Sequence, residues 1–434
     1  MYEAYITELH GLRKHSNADR LQCVTVFGNN VIVDMSYYEG QRVVYFPTDG
    51  QLSLEFAEDN NLVRKKDENG NSVGGYLDPN KRNITAIRLR GEQSDGLVLP
   101  IETLNKYVDI NKLKSGDTIS ILGGHEICKK YIPNRNRNCQ NTSRQLNATK
   151  SEPKVTTTYP YFAEHEDTKQ LAYNQAAFRP GDICTITLKV HGTSQRTANT
   201  SKVIKHSANK ILKKLFHLKD RVLVDYDVVS GTRRTTLKSF DDGGYYNDNA
   251  FRKPYHDMFS SKLPKGVEVF YEVVGYVNET TPIMAKCNNK LIKDNGFSKM
   301  YGKETTFSYG CLPGKNKCFV YRMTMTNPDG FVVEIPWSQV QIICEKMGVE
   351  CVPTFETFVY TTWEDLMSRV EKYYDGPDPI DNTHVREGIV IRIENREKFT
   401  AFKHKNFSFK CLEGICKDTS GVPDMEEAEE LIHE

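Results

Sequence analysis

The chain has 434 residues, enough for two or three domains of ordinary size. Because 58 Lys and Arg stand against 57 Asp and Glu, the formal net charge of +1 indicates no class of charged partner. The 38% hydrophobic and 26% charged content excludes a disordered chain, and no apolar run approaches the roughly 18 residues that a membrane-spanning helix needs.

The N-terminus and the cysteines predict where the protein resides. The first residues, Met1 to Tyr5, contain neither the basic region nor the apolar region of a signal peptide. The eleven cysteines form no Cys-x-x-Cys pair, which favours reduced thiols over a disulfide framework or a zinc site. We therefore expect an intracellular protein, cytoplasmic or nuclear, with no membrane partner.

Residues 1–133 are predicted to contain mostly strands and turns. Short β-branched runs alternate with Gly, Asn and Asp clusters that are typical of turns. Five or so short strands favour a small barrel or a sandwich. The predicted strands are Val24–Phe27, Val31–Val33, Val43–Phe46, Ile84–Leu89, Leu97–Pro100 and Thr118–Leu122.

The remainder of the chain has a different character. Residues 134–158 are almost wholly polar and aperiodic, which indicates a linker, and residues 159–434 are mixed α/β. One helix is predicted to end at Gly348, and a second begins at Thr362, which forms a capping-box pattern with Asp365. The predicted strands are Ile183–Val190, Val222–Val229, Val267–Val277, Cys318–Thr324, Gly388–Ile393 and Thr400–Lys403.

A basic segment interrupts this part of the chain. Residues Lys202 to Arg221 include six Lys and one Arg, with apolar residues at nearly helical spacing. Two interpretations stay open: a surface helix with a solvated basic face, or a face that contacts the phosphates of a nucleic acid.

The segment Lys189-Val190-His191-Gly192-Thr193-Ser194 contains the candidate nucleophile. A predicted strand ends at Lys189, and Gly192 allows the backbone to approach a ligand closely. A lysine attacks only as the neutral amine, so nearby cations, a metal ion or burial must lower its pKa from about 10.4. His191 and Ser194 could donate hydrogen bonds to phosphate. Taken alone, the segment is equally compatible with a strand end that carries a surface lysine.

Further candidate residues follow in a fixed order. A carboxylate lies near the end of an apolar predicted strand, and two aromatic residues alternate on the following predicted strand. A second carboxylate then precedes Gly388, and two lysines lie on the same side of the last predicted strand. Each alone could be an ordinary ion pair or a solvated strand face, so the order carries the hypothesis. In chain order they are Glu272, Phe319 with Tyr321, Glu387, and Lys403 with Lys405.

This order, spanning roughly residues 185 to 406, resembles the covalent nucleotidyltransferase superfamily of ATP-dependent ligases and mRNA capping enzymes. DNA ligases and capping enzymes carry an OB domain after the last motif, but only 29 residues follow Lys405 here. The extra domain lies on the N-terminal side instead, where Asn17-Ala18-Asp19-Arg20-Leu21 is similar to the start of tRNA-binding OB folds. The arrangement resembles RNA ligases of the Deinococcus/Naegleria type.

The resemblance implies an α+β protein with an OB-like nucleic-acid-binding β-barrel over residues 1–133 and a polar linker over residues 134–158. Residues 159–434 would form a mixed α/β nucleotidyltransferase domain with antiparallel sheets. It further implies an ATP-dependent RNA ligase that seals 3′-OH/5′-phosphate breaks through a lysyl-AMP intermediate. The expected substrate is a nicked duplex with an RNA 3′-OH strand, as in RNA repair, and we expect a monomer.

The same resemblance implies the chemical roles of five residues. Lys189 would attack the α-phosphorus of ATP, and Lys403 and Lys405 would neutralise the charge of that phosphate. Glu272 and Glu387 would hold Mg²⁺ or Mn²⁺.

Nucleotide contacts are implied in the same way. Tyr321 would stack on adenine, with Phe319 as its rival because Arg322 follows Tyr321 where many RNA ligases have Asp. The arginine that contacts the nick phosphate stays open among Arg196, Arg233 and Arg234. The other predicted nucleotide contacts are Val190, His191, Gly192, Ser194, Glu272, Arg196 and Arg234.

Two other functions compete with RNA ligation. One is a GTP-dependent guanylyltransferase of the capping type, and the other is a non-catalytic RNA-binding relative that has lost its activity. A DNA-only ligase is a weaker third option. The segment from Arg90 to Leu99 also has the acid-Gly-apolar pattern around Gly96. It precedes Lys189 and lies in the β-rich part of the chain, so we interpret it as a barrel hairpin of the N-terminal domain and not as catalytic.

Overall fold

The structure is a computed structural model that describes residues 2–66, 72–131, 155–162, 165–206, 221–233, 235–237, 239–241, 246, 248–289, 292 and 295–412. The basic segment between residues 207 and 220, most of the predicted linker and Arg234 lie outside the described residues. No helix in the part of the chain described above is both long and apolar enough to cross a membrane.

Strands dominate the described residues. In the first 131 residues they are β1 (Ala4–Glu8), β2 (Arg13–Lys14), β3 (Leu21–Val26), β4 (Asn29–Asp34), β5 (Arg42–Phe46), β6 (Gly50–Leu52), β7 (Arg64–Lys66), β8 (Ser72–Gly74), β9 (Ala86–Leu89), β10 (Glu92–Asp95), β11 (Leu97–Pro100), β12 (Thr118–Ile119), β13 (Ile121–Leu122), β14 (His125–Glu126) and β15 (Cys128–Lys130). After them come β16 (Val155–Thr158), β17 (Lys169–Gln170), β18 (Ile183–Lys189), β19 (Thr193–His206), β20 (Arg221–Gly231), β21 (Val267–Gly275), β22 (Cys287–Asn288), β23 (Glu304–Thr305), β24 (Asn316–Thr326), β25 (Val332–Glu334), β26 (Thr354–Val359), β27 (Gly388–Ile393) and β28 (Ala401–Lys405).

The helices are short, and their ends follow local sequence signals. The last of them begins where the Thr362 side chain accepts a hydrogen bond from the Asp365 amide, which confirms the predicted cap. The one before it ends at Gly348, whose φ of +67° is the left-handed conformation that favours glycine. The helices are α1 (Leu54–Asp59), α2 (Lys253–Ser260), α3 (Asn295–Tyr301), α4 (Trp337–Met347) and α5 (Trp363–Tyr373), and 3₁₀ helices cover Ile101–Leu104, Ile110–Lys112, Leu171–Tyr173, Gln175–Ala177 and Ala250–Arg252.

The chain folds into two compact units, each built from segments that are distant in sequence. Unit 1 contains the described parts of residues 1–134, 287–305 and 406–423. Unit 2 contains the described parts of residues 135–286 and 306–405. The sheet-rich α+β architecture that was predicted is confirmed at this level.

Unit 1 contains a four-stranded antiparallel sheet in the order β11-β5-β1-β12 and a three-stranded sheet in the order β2-β3-β4. Its core packs Ile6, Val44, Phe46 and Phe56 among other buried apolar side chains. The predicted OB-like barrel is not confirmed, because β11 and β12 are edges of the same sheet and the pairing within the described residues closes no barrel. The physical reason is that short strands share their pairing among several separate small sheets. The segment from Glu92 to Leu99 forms hairpin strand β10 and part of β11, as expected.

Unit 2 contains two larger sheets. One has six strands, in the order β16-β19-β21-β24-β25 with β20 also paired to β19. The other has five strands, in the order β17-β28-β27-β18-β26, and it packs against α5 through Leu366 and Val370. The chain passes directly from the five-stranded sheet to the six-stranded sheet through residues 190–192, which join β18 to β19.

Two predictions made from polarity differ from the structure. Val155–Thr158, assigned to the linker, forms β16 and pairs with the end of β19, because Val and Thr favour extended backbone even in a polar stretch. Lys202 to His206, the start of the basic segment whose apolar residues have nearly helical spacing, continues β19 and pairs with β20. Cys287 is disulfide-bonded, although Cys23, Cys184 and Cys344 are among the cysteines that are free thiols as expected.

Gly388 allows a close approach between β27 and β28 of the five-stranded sheet. Its φ of +148° disfavours any side chain, and a Cβ atom there would lie 2.2 Å from the carbonyl oxygen of His404 and 2.8 Å from the Cα of Lys405. A side chain at this position would therefore separate β27 from β28.

We expect Gly388→Ala to destabilise the protein more than Gly181→Ala does. Gly181 also has a positive φ, +94°, but a Cβ there would meet nothing within 4 Å, so its substitution reports backbone strain of roughly 1–2 kcal/mol. The clash at Gly388 should add about 1–3 kcal/mol to the loss of unfolding free energy, measured by chemical denaturation. Equal losses in the two variants would contradict the close approach.

Candidate active site

The candidate nucleophile lies where the two sheets of unit 2 meet. Lys189 is the last residue of β18, and its side chain is 15% exposed. Gly192 lies just before β19, and a Cβ there would lie 2.4 Å from the carbonyl oxygen of Val273 on β21. Only glycine therefore lets this connection pass so close to the six-stranded sheet.

Glu387 is the centre of a cluster of ionisable side chains. Its carboxylate is 2% exposed, and its Oε1 lies 2.9 Å from Nζ of Lys189 and 3.4 Å from Nζ of Lys405. The second oxygen, Oε2, lies 3.7 Å from Nδ1 of His191. Two lysines and a histidine thus surround one buried carboxylate.

Strand pairing explains why these residues meet although they are far apart in sequence. Lys189 on β18 lies opposite Gly388 on β27, and Gly388 lies opposite Lys405 on β28. Glu387 immediately precedes Gly388, so the two lysines flank it from the neighbouring strands. Lys403 lies two residues before Lys405, on the same side of β28, and pairs with Val390.

An open cavity lies beside the cluster and takes its walls from both sheets. From the five-stranded sheet and the connection come Lys189, Val190, Val390 and Arg392, and from the six-stranded sheet come Ser194, Glu272 and Tyr321.

Tyr321 reaches the cavity because of a β-bulge. Phe270 pairs with Arg322 and Tyr271 pairs with Val320, so Tyr321 is the extra residue of β24. Its hydroxyl lies 2.9 Å from Oγ of Ser194, within hydrogen-bonding distance. Phe319 is 3% exposed and is not part of the cavity wall, whereas Tyr321 is.

Two residues that the sequence did not single out support Tyr321. Arg392 donates a hydrogen bond of 2.6 Å to the Tyr321 carbonyl, and His165 packs its ring edge-on against Tyr321 with 5.9 Å between centroids. Burial lowers the pKa of His165, so its ring is neutral at neutral pH. Arg392 follows the Arg386-Glu387-Gly388 motif on β27, so its place near the site could have been suspected from the sequence. His165, 24 positions before Lys189, lies in no pattern that would have indicated a role.

One family of known proteins matches the second half of the chain. The model of the family described as RNA ligase matches residues 182–412, more than half of the chain. The chain belongs to the RNA ligase family. The match includes Lys189, Glu272, Tyr321, Glu387 and Lys405, so the predicted ligase family is confirmed. No curated protein matches the chain.

Solved structures of an RNA ligase from Naegleria gruberi are similar in fold to this family member over nearly its whole length. A lysine-to-alanine mutant with ATP and Mn has 15% identity and a TM-score of 0.57, and covers 94% of this chain and 98% of that chain. A glutamate-to-alanine mutant with ATP and Mn has 16% identity, the same TM-score and the same coverage. The structure with PPi has 16% identity and a TM-score of 0.55, with 94% and 97% coverage.

The carboxylates of this RNA ligase family member fit a hard divalent cation. Glu272 on β21 is 6% exposed and Glu387 is 2% exposed, and carboxylate oxygens are the ligands that Mg²⁺ and Mn²⁺ prefer. The described residues contain no group of three or more His, Cys, Asp and Glu placed to hold a metal ion. Two carboxylates are sufficient for an ion that keeps several waters and also binds phosphate oxygens.

The predicted arginines differ in their surroundings. Arg196 is 2% exposed; it pairs with Glu268 at 2.8 Å and lies 3.8 Å from the centroid of the Phe162 ring. This geometry favours a structural role, because its charge is already compensated by a buried carboxylate. Arg233 lines the cavity and pairs with Asp167 at 2.9 Å, and Arg234 lies outside the described residues.

We expect Arg196→Met to lower the unfolding free energy by about 3–5 kcal/mol, because it leaves Glu268 buried without its cation. Replacing both residues by methionine should recover most of that loss, since no charge is then left buried. Chemical denaturation of the two single variants and the double variant measures this. A single variant as stable as the wild type would show that the pair does not contribute as proposed.

Proposed function

We propose that this chain is an ATP-dependent RNA ligase that seals 3′-OH/5′-phosphate breaks through a lysyl-AMP intermediate. The observation that supports this most directly is that Lys189 and Lys405 both contact Oε1 of Glu387, at 2.9 and 3.4 Å, beside an open cavity lined by both sheets of unit 2. The similar Naegleria gruberi structures contain ATP and Mn, AMP and Mn, or PPi, which are compatible with this reaction.

In the first transfer Lys189 attacks the α-phosphorus of ATP. The Nζ–P bond forms, the bond to the β-phosphate oxygen breaks, and pyrophosphate leaves with the bonding electrons. The ammonium must first lose a proton, and the Glu387 carboxylate, 2.9 Å away, is the base in contact with it. The positive charge of Lys405 favours this loss, whereas the negative charge of Glu387 opposes it. Glu387 holds the amine in place through the 2.9 Å contact.

The phosphate charge is compensated by side chains near the nucleophile. Lys405 and Lys403 lie on one side of β28 and would neutralise the α-phosphate, while His191 and Ser194 would donate hydrogen bonds to it. Mg²⁺ or Mn²⁺ held by Glu272 and Glu387 would add positive charge beside the same phosphate.

The adenine would stack on Tyr321. The support is its place in the cavity wall and the bulge that turns it there, while Val190 and Gly192 would let the nucleotide lie close to the backbone. Phe319 stays the rival platform and is less favoured, because it is buried outside the cavity wall.

In the second and third transfers AMP moves to the 5′-phosphate, and the 3′-hydroxyl then attacks that phosphate and releases AMP. We propose a nicked duplex with an RNA 3′-OH strand as substrate, sealed by a monomer. Residues 1–133 would form the OB-like domain that binds the duplex, supported by exposed Lys14, Arg20 and Arg90. Among the candidate arginines, the cavity wall favours Arg233 for the nick phosphate.

We expect the wild type, incubated with α-labelled ATP and Mg²⁺ or Mn²⁺, to retain label after denaturation, and Lys189→Ala to retain none. Lys317→Ala is the matched control, because Lys317 is an exposed lysine on β24 and should label like the wild type. Label from GTP alone would favour a guanylyltransferase. Absence of label from either nucleotide on folded protein would favour a non-catalytic RNA-binding relative.

The polynucleotide substrate needs a separate experiment. Sealing is compared on nicked duplexes with an RNA or a DNA 3′-OH strand and on single-stranded RNA. Preference for the nicked duplex with the RNA 3′-OH strand is the expected result. Efficient sealing of the single strand would overturn the duplex proposal and leave the lysyl-AMP chemistry intact.

We expect Tyr321→Leu to weaken ATP binding by about 1–3 kcal/mol, the usual contribution of stacking between a base and an aromatic ring. Phe319→Leu should lower thermal stability and change the KM for ATP much less. The dependence of lysyl-AMP formation on ATP concentration measures the KM of both variants, and thermal denaturation measures the stability of Phe319→Leu. The reverse pattern would assign the stacking to Phe319.

A further inference from the structure

The segment from Phe307 to Gly310 has a strained backbone beside the active site. Tyr309 has a φ of +51°, a left-handed conformation that is uncommon for a residue other than glycine. Its side chain is almost completely buried, with 1% of the residue exposed. Such strain persists only where the surrounding structure holds it, and it concentrates at functional sites.

The Tyr309 hydroxyl points at the connection that carries the nucleophile. The backbone N–H of His191 donates a 2.7 Å hydrogen bond to the Tyr309 oxygen. His191 lies between β18, which ends at Lys189, and β19, which begins at Thr193. The tyrosine thus holds a backbone group two residues from Lys189 that belongs to neither strand.

A second contact holds the same residue from the same segment. The His191 ring packs edge-on against Phe307, with 4.8 Å between centroids and an 84° angle between the rings. Phe307 and Tyr309 both pack against the ring of His384, at 5.2 and 4.7 Å. Phe307 and Tyr309 therefore fix both the backbone and the ring of His191.

Asp381 stabilises the strained turn. One of its carboxylate oxygens accepts hydrogen bonds from the Ser308 hydroxyl at 3.0 Å and from the Gly310 amide at 2.9 Å. The other accepts from the amide and the hydroxyl of Thr383. Asp381 precedes Glu387 by six residues, so a single stretch of chain carries the carboxylate that contacts Lys189 and the carboxylate that supports Tyr309.

We propose that Tyr309 is a positioning residue for the nucleophile: its hydroxyl fixes the His191 backbone and thereby the placement of Lys189 against Glu387. This inference rests on the proposed lysyl-AMP chemistry. Burial raises the pKa of Tyr309 well above its usual value, so the hydroxyl stays protonated at neutral pH. Because transfer from a fixed geometry is sensitive to small displacements, loss of this hydrogen bond should slow the chemical step.

The test compares Tyr309→Phe with Tyr255→Phe. Tyr255 is another buried tyrosine of unit 2; its hydroxyl donates to Asn316 instead, so its variant controls for the loss of a buried hydroxyl. Lysyl-AMP formation is measured over a range of ATP concentrations, with melting temperature measured alongside. We expect Tyr309→Phe to be slower at saturating ATP by on the order of 10- to 100-fold, with little change in KM, and Tyr255→Phe to retain the wild-type rate.

The outcomes separate the inference from the proposed function. No lysyl-AMP on the wild type would overturn the proposed function itself. Lysyl-AMP on the wild type and an equal rate for folded Tyr309→Phe would overturn only the positioning role, whatever the change in melting temperature. If Tyr309→Phe does not fold, Ser308→Ala serves in its place, because it removes one hydrogen bond to Asp381; a several-fold slower rate supports the role, and a wild-type rate overturns it.

Discussion

The site depends on the burial of the Glu387 carboxylate. A carboxylate that is 2% exposed has lost nearly all of its water, and without compensation this desolvation costs several kcal/mol. Lys189 and Lys405 supply compensating cations from β18 and β28, and His191, two residues after Lys189, lies 3.7 Å from the second carboxylate oxygen. Lys189, the proposed nucleophile, is therefore also one of the cations that stabilise the buried carboxylate, which links the stability of the site to its proposed chemistry.

This electrostatic arrangement requires backbone segments to lie unusually close together. Gly388 lets β27 and β28 approach at the point where Lys405 faces Glu387, and Gly192 lets the connection after Lys189 lie against β21. The Tyr309 hydroxyl then fixes that connection through the His191 amide. Close packing of the backbone thus brings together the segments that carry the ionisable groups.

Much of the fold follows from local sequence pattern. The runs that became β18, β21, β24 and β27 are rich in β-branched and aromatic residues, and their preference for extended backbone agrees with their burial. The prediction was wrong for Val155–Thr158, where polarity suggested a linker but pairing with β19 formed a strand. The barrel predicted for the N-terminal residues is not confirmed, because closure depends on which distant strand edges pair, and local pattern does not show this.

The sequence alone determined the candidate residue types and their order, because a lysine at a strand end, two carboxylates and a pair of lysines on one strand form a pattern that needs no coordinates. Only the tertiary structure decided which of two neighbouring candidates lines the cavity and which is buried elsewhere or held in an ion pair. A bulge brings Tyr321 rather than Phe319 into the cavity wall, and Arg196 is engaged by Glu268, 72 residues away. Tyr309 gave no sequence signal at all. The physical reason is that burial, charge compensation and strand register depend on contacts between segments far apart in the chain, which local pattern does not contain.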